Sequence, residues 1–281
     1  MEERLTVRIG ANLSDFERKM SQMQSKMDSV GKSMSAVGKG MTAGLTLPVA
    51  GAVAASIKSF ANLEQAVGGV ETLFKGSADA VIANSETAYK RAGVSGVDYM
   101  ENVTSFSATL LQGLDGDTVA AAKAADMAMV DMSDNANKFG TDIGSVQDAY
   151  QGFAKDNYTM LDNLKLGYGG TAGEMARLIN ESGVLGDSME VTAETVKDVP
   201  FHTMVEAIHE VQTEMGVTGT TMEEAEETVS GSFGMMKASF QDLAAGFGQE
   251  GANIEMLFSN LKSSVVTFAD NIKRVDRKSV V

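Results

Sequence analysis

Two histidines, His202 and His209, lie seven residues apart with Glu206 between them. On a helix that spacing sets all three near one face, and imidazoles with a carboxylate are zinc-binding chemistry. Only three ligands stand together, and their order is not H-E-x-x-H, so the plain reading is a solvated or half-buried histidine pair. Gly246, Gly248 and Gly251 spell G-x-G-x-x-G. A dinucleotide fold needs that motif between a strand and a helix, and here it ends a helical pattern. Gly31-Lys32-Ser33 resembles the close of a phosphate loop, but Lys26 stands where its first glycine belongs. Glu223, Glu224, Glu226 and Glu227 read as a solvated helix start, favoured by the helix dipole. Ser230-Gly231-Ser232-Phe233-Gly234 is not the G-x-S-x-G of a nucleophile elbow. These residues define no catalytic set, no cofactor site and no metal site.

The composition narrows the classes further. The chain has 281 residues and a net charge of −15. Residues 1–42 carry seven Lys or Arg against five Asp or Glu, whereas residues 181–230 carry twelve acidic residues and one lysine. An acidic middle argues against specific nucleic-acid binding, which needs a basic footprint. No cysteine is present, which excludes disulfides and thiolate metal sites. Two prolines, no tryptophan, abundant alanine and 19 methionines fit a mostly helical chain. The start, Met-Glu-Glu-Arg, lacks the layout of a signal peptide.

The elements follow from periodicity. Leu5, Val7 and Ile9 alternate with polar residues and predict one short strand before Gly10. Phe16, Met20, Met23, Met27, Val30, Met34, Val37 and Met41 then alternate intervals of four and three, the seam of a coiled coil. Ser14 and Glu17 precede it as a capping box. Such a stripe needs a partner helix, in the same chain or in another copy. Gly40–Ile57 is uncharged and long enough to raise a membrane span, but Pro48 and its glycines favour a buried, tightly packed helix starting near Pro48.

Further helices are predicted from Ser77 to Gly93, from Ser95 to Gly113, from Asp117 to about Asn135 and over 142–154. Asp156–Gly170 reads as a loop holding an apolar patch of Tyr158, Met160, Leu161, Leu164, Leu166 and Tyr168. Thr171 and Glu174 form a second capping box, with Gly183 as the stop. Asp198 is placed to cap a helix with Pro200 in its first turn, whose face is Phe201, Val205, Ile208 and Met215. Val229, Phe233, Met236, Phe240, Leu243 and Phe247 return to the 4-3 rhythm. After the turn 248–251 it resumes at Ile254, Phe258, Leu261, Val265, Phe268 and Ile272. Two seams joined by a short glycine turn predict a helical hairpin.

The fold class expected is mostly α, an elongated helical bundle with coiled-coil segments and one short N-terminal strand. Its parts are residues 1–44 (strand and coiled-coil helix), 45–216 (helical core region) and 217–275 (hairpin with heptad seams). Residues 276–281 match a sequencing-adapter read-through, so the open frame is expected to be truncated and to continue beyond them.

Long stretches carry a family resemblance. Leu5–Ala11 followed by Leu13-Ser14-Asp15-Phe16, and Val30–Ser33 leading to Leu45–Pro48, resemble the opening of phage tail tape measure proteins. The most specific run is Asn137–Thr141, Ala149–Lys155 and Asn157–Gly170; Thr228–Ser232 through Lys237–Phe240 resembles the helix that follows. The chain is similar to the N-terminal part of such proteins from siphophages and prophages of Gram-positive bacteria. The resemblance implies a structural virion component, not an enzyme. It would fill the tail lumen, set tail length and leave during genome delivery. Implied partners are tail-tube protein, tail assembly chaperones, distal tail or baseplate proteins, further copies of itself and the host membrane during delivery. Implied locations are the virion tail lumen and, during assembly, the bacterial host cytoplasm. Two alternatives remain: a membrane-active helical effector or pore-forming protein, for which Gly40–Ile57 would enter lipid, and a zinc enzyme using His202 and His209.

Overall fold

Among the described residues the secondary structure is helical, and no strand occurs there. The computed structural model describes residues 49–186, 189–246, 249 and 252–279, with side chains from 61 to 274 within them. The Leu5–Ile9 strand, the Phe16–Met41 seam, residues 40–48 of the uncharged stretch, Phe247, Gly248, Glu250, Gly251 and the last two residues lie outside the described residues. Two compact units divide the chain: Met1–Glu64 with Glu226–Val281, and Gln65–Ala225. The first unit thus draws on two separate stretches of the sequence.

The second unit is built from short helices whose ends are written in the sequence. Of α1 (Val49–Phe74), which begins directly after Pro48, only the last turns, from Gln65 on, belong to this unit, and they bury Ala66, Val70 and Phe74. Among the described residues no helix is long and apolar enough to cross a membrane. A 3-10 turn at Lys75–Ser77 leads to α2 (Ala78–Glu86) and the single turn α3 (Ala88–Arg91). The Ser77–Gly93 helix expected from sequence is thus broken at Thr87, whose hydroxyl bonds the Asn84 carbonyl and accepts from Arg91.

Ser95 caps α4 (Gly96–Gly113) by accepting from the Asp98 amide. Asp117 caps α5 (Thr118–Phe139), accepting from Val119 and Ala120, and Gly140 ends it at φ 62°, where glycine is favoured. α5 therefore runs a full turn beyond Asn135. Asp142 caps α6 (Ile143–Phe153). α2, α4, α6 and α8 (Phe201–Glu214) all pack on α5, which makes it the axis of the unit. Alanines at 121, 125 and 128 are fully buried and let these neighbours approach closely.

The Asp156–Gly170 loop supplies core. A 3-10 turn at Leu161–Leu164 drives both leucines inward, and Tyr158, Leu166 and Tyr168 are buried with them, while Met160 is half-buried. Gly170 is required, because a Cβ there would strike the Thr159 carbonyl. Thr171 caps α7 (Ala172–Ser182) through the Glu174 amide. The reciprocal half of the expected box differs, since the Glu174 carboxylate accepts from the Gly169 amide at 3.1 Å. Gly183 ends α7 at φ 72°.

α8 also departs from expectation at both ends. Asp198 closes a 3-10 turn (Val196–Asp198) and does not cap it; Pro200 is the N-cap residue. Phe201, Val205 and Ile208 are buried, but Met215 falls after the last turn and is 45% exposed. α9 (Thr220–Glu227) is two turns long, so only Glu223 occupies its first turn. Glu226 and Glu227 lie at its far end, where the dipole does not favour them.

In the first unit, α10 (Val229–Gly246) and α11 (Ile254–Ser279) form the hairpin. Met236, Leu243, Leu261, Val265 and Phe268 form its buried core, flanked by Val229, Phe240, Ile254, Phe258 and Ile272. Phe233 sits at the margin, 51% exposed with its ring 5.4 Å from that of Phe268. Leu257, outside the seam, joins the cluster beside Gly246, whose missing Cβ admits the leucine side chain.

Candidate functional site

The strongest chemistry in the described residues lies along α5. Asp131, Asp134 and Asn135 occur at i, i+3 and i+4, so they share one helical face. That face is buried: Asp131 is 1% exposed, and Asp134 and Asn135 are fully covered. Each of the three finds partners. The Asp131 carboxylate meets His209 Nδ1 at 2.9 and 3.0 Å through its two oxygens. Asp134 accepts from the Gly219 amide at 2.6 Å and the Thr221 amide at 2.8 Å, and so caps α9 from another element. Asn135 Nδ2 donates to the Leu164 carbonyl and to Gln212 Oε1. Asn137 donates to the Thr220 carbonyl. One helix thus orients the loop before α7, α8 and the start of α9.

Elsewhere on α5, Asp126 accepts both Arg91 guanidinium nitrogens at 2.9 and 3.0 Å and the Tyr99 hydroxyl at 2.6 Å. Hydrogen bonding to Asp126 raises the Arg91 pKa. Burial pushes the Tyr99 hydroxyl well above its usual value, and the neighbouring carboxylate adds to the shift. A cleft of about 710 Å³ touches both acidic stations, lined by Asp79, Asn84, Asp126, Met127, Asp131 and His209 among others.

His209 is the titratable group best placed to act there. Its hydrogen bond to Asp131 raises its pKa, and its side chain is 29% exposed. Burial raises the Asp131 pKa, opposed by the His209 hydrogen bond. With Nδ1 donating to the carboxylate, Nε2 is the nitrogen left to meet solvent or a ligand. The arrangement can hold a proton or donate to an anionic or carbonyl oxygen. Among the described residues His209 makes its hydrogen bonds to Asp131 alone.

The structure separates the two histidines. The His202 ring lies beside the position of Gly113, where an added Cβ would come within 3.2 Å of Nδ1. Glu206 is exposed and the His202 Nδ1 is buried without a partner. Among the described residues no group of three His, Asp or Glu could hold a metal ion. Gly246 ends α10, while Gly248 and Gly251 lie outside the described residues, as does Gly31-Lys32-Ser33. Ser230–Gly234 forms the first turns of α10, without a strand before it among the described residues.

Sequence reasoning passed over Asp126, Asp131, Asp134, Asn135 and Gln212. The signal was available in Asp131-Met132-Ser133-Asp134-Asn135, where polar residues interrupt the face of an alanine- and methionine-rich helix. A buried helix tolerates that only if other elements bring partners. Comparisons with models of protein families, with curated proteins and with solved structures returned no match.

Proposed function

We propose that the chain is the N-terminal part of a phage tail tape measure protein, a structural component of an elongated helical assembly in the tail. The observation that carries this reading is the Asn137–Gly170 run of the sequence, whose resemblance to that family is long and specific. The helical architecture is compatible with it. The same run holds core positions, Tyr150, Phe153, Leu161 and Leu164, together with the close approach at Gly170. A resemblance concentrated in residues that determine packing points to a shared fold more than a shared surface.

At 1.5 Å per residue, 281 residues of unbroken helix would span only about 420 Å. The chain's second unit is divided into helices of at most 22 residues around the buried α5, which suits a docking and assembly region better than the ruler itself. Its partners on this reading are tail-tube protein, assembly chaperones, distal tail or baseplate proteins and further copies. It would work in the host cytoplasm during assembly and in the tail lumen afterwards.

Two deletions in the complete phage test the proposal. Removing three heptads from the downstream rod is expected to shorten the tail by roughly 30 Å, from the helical rise, and to leave particle numbers unchanged. Removing the same length within Phe16–Met41 is expected to stop tail initiation. Electron microscopy decides. Normal numbers of merely shorter tails from the second deletion would refute the docking role, and tail length indifferent to both would refute the tape measure reading.

A further inference from the structure

The cleft of about 710 Å³ beside α5 lies wholly within the second unit. Val119, Ala122, Met127 and Val130 give it an apolar floor, and Lys123, Asp126 and Asp131 interleave with them on the same helical face. Counting 119 to 131, that face is about 18 Å long at the helical rise. The opposite wall is α2, with Asp79, Ala80 and Asn84. His209 closes the Asp131 end, and the bond between the Ser77 and Thr118 hydroxyls stands at the other. The cleft is therefore a trough, long and open, with Val119 56% exposed in it. Polar groups along it lack protein partners. The side chains of Asp79 and Lys123 make no hydrogen bond or ion pair among the described residues. His209 spends Nδ1 on Asp131 and leaves Nε2 open. An occupant that strips water from these groups without replacing it would bind poorly.

We propose that the trough binds an extended peptide segment of about five to six residues, at about 3.3 Å each, with alternate apolar side chains set on the α5 floor. The polar groups select this occupant over other linear ones. An extended backbone offers N–H and C=O groups along its whole length, so Asp79 meets donors and Lys123 meets acceptors. His209 is matched in either protonation state: a bare Nε2 accepts from an amide, and a protonated one donates to a carbonyl. An acyl chain carries acceptors at one end only. A helix has spent its amides and carbonyls internally and reaches the walls with side chains alone. The apolar floor takes every second side chain, and the open side of the trough leaves the others in water. Such binding would stand whether or not the chain belongs to a tape measure protein.

The chain has two histidines and His209 alone lines the trough, so imidazole resonances read its occupancy. The probe is acetyl-Leu-Ser-Val-Ser-Leu-Ser-amide, added to the full chain carrying isotope-labelled histidine. Saturable movement of the His209 ring resonances is expected, with those of His202 unmoved. Val119→Glu is expected to weaken the peptide at least tenfold and to leave the urea midpoint in place, because the valine is already exposed. Should that midpoint fall, Lys123→Glu, exposed on the same face, carries the same expectation. No saturable movement at millimolar peptide would overturn the proposal. Equal movement of both histidines, or an affinity that neither substitution changes, would do the same. Decanoate or a stapled helix of equal length binding more tightly than the probe would overturn the assignment to an extended peptide.

Discussion

Replacing Asp134 by alanine should unravel the junction between α5 and α9. The fully buried carboxylate accepts two backbone amides, Gly219 at 2.6 Å and Thr221 at 2.8 Å. Alanine leaves both donors without an acceptor, at about 1–3 kcal/mol each when they stay buried. The turn before α9 can relax toward water, which recovers part of the cost, so the expected loss is about 3–4 kcal/mol. An eight-residue helix has little stability of its own, and α9 should fray once its cap is gone. All five tyrosines lie in Gln65–Ala225 and the chain has no tryptophan, so tyrosine fluorescence reports this unit alone. With an m-value of about 2 kcal/mol/M, the urea midpoint should fall by roughly 1.5–2 M. Asp134→Asn keeps one acceptor oxygen and should cost about half as much. Hydrogen exchange at Gly219 and Thr221 should accelerate before the rest of the unit. A loss below about 1 kcal/mol for Asp134→Ala, less than one unmet donor costs, or unchanged exchange at those two amides, would refute the capping argument.

The unit should lose stability as pH rises. His209 has its pKa raised above 6.5 by Asp131, so its contribution is complete below 6.5 and is lost as pH passes through the raised value. Burial raises Asp131 above 3.8, which has the same sign: the folded state holds that proton more tightly, so stability falls as pH rises through this shift. His209→Gln should flatten the tyrosine-monitored stability slope between about pH 6 and 9, and identical slopes for variant and parent would contradict the pairing. Gly170→Ala should cost about 1–3 kcal/mol by forcing Cβ against the Thr159 backbone. Gly68→Ala, in open space on α1, should stabilise by about 0.5–1 kcal/mol; the same urea curves read both, and equal effects would show that the close approach is not limiting.

The helix ends were the most legible part of the fold, because caps are local. Ser95, Asp117, Asp142 and Thr171 each satisfy an amide within three residues, so a short window contains the whole argument. The break at Thr87 and the 3-10 turn at Leu161 depend on side chains folding back and on distant packing, which no local period encodes. The acidic face of α5 was hidden for the same reason. Its partners Gln212 and His209 are 77 and 78 residues away, and Gly219 and Thr221 are 85 and 87 away. Histidines at 202 and 209 invited a joint reading, yet Asp131 takes one and the Gly113 end of α4 receives the other.

The non-consecutive first unit sets an order of events on the ribosome. Gln65–Ala225 is one uninterrupted stretch and can fold as soon as it has emerged. The opening 64 residues cannot complete their unit until Glu226–Val281 has been made. At about 5–20 residues per second, synthesis of the intervening 161 residues, counting 65 to 225, takes roughly 8–32 s. Throughout that interval the early segment of the first unit waits for the hairpin that completes it, and neighbouring nascent chains on one messenger each carry the same waiting segment. Translation speed would then govern how much of that unit closes within its own chain and how much is lost to entanglement with its siblings.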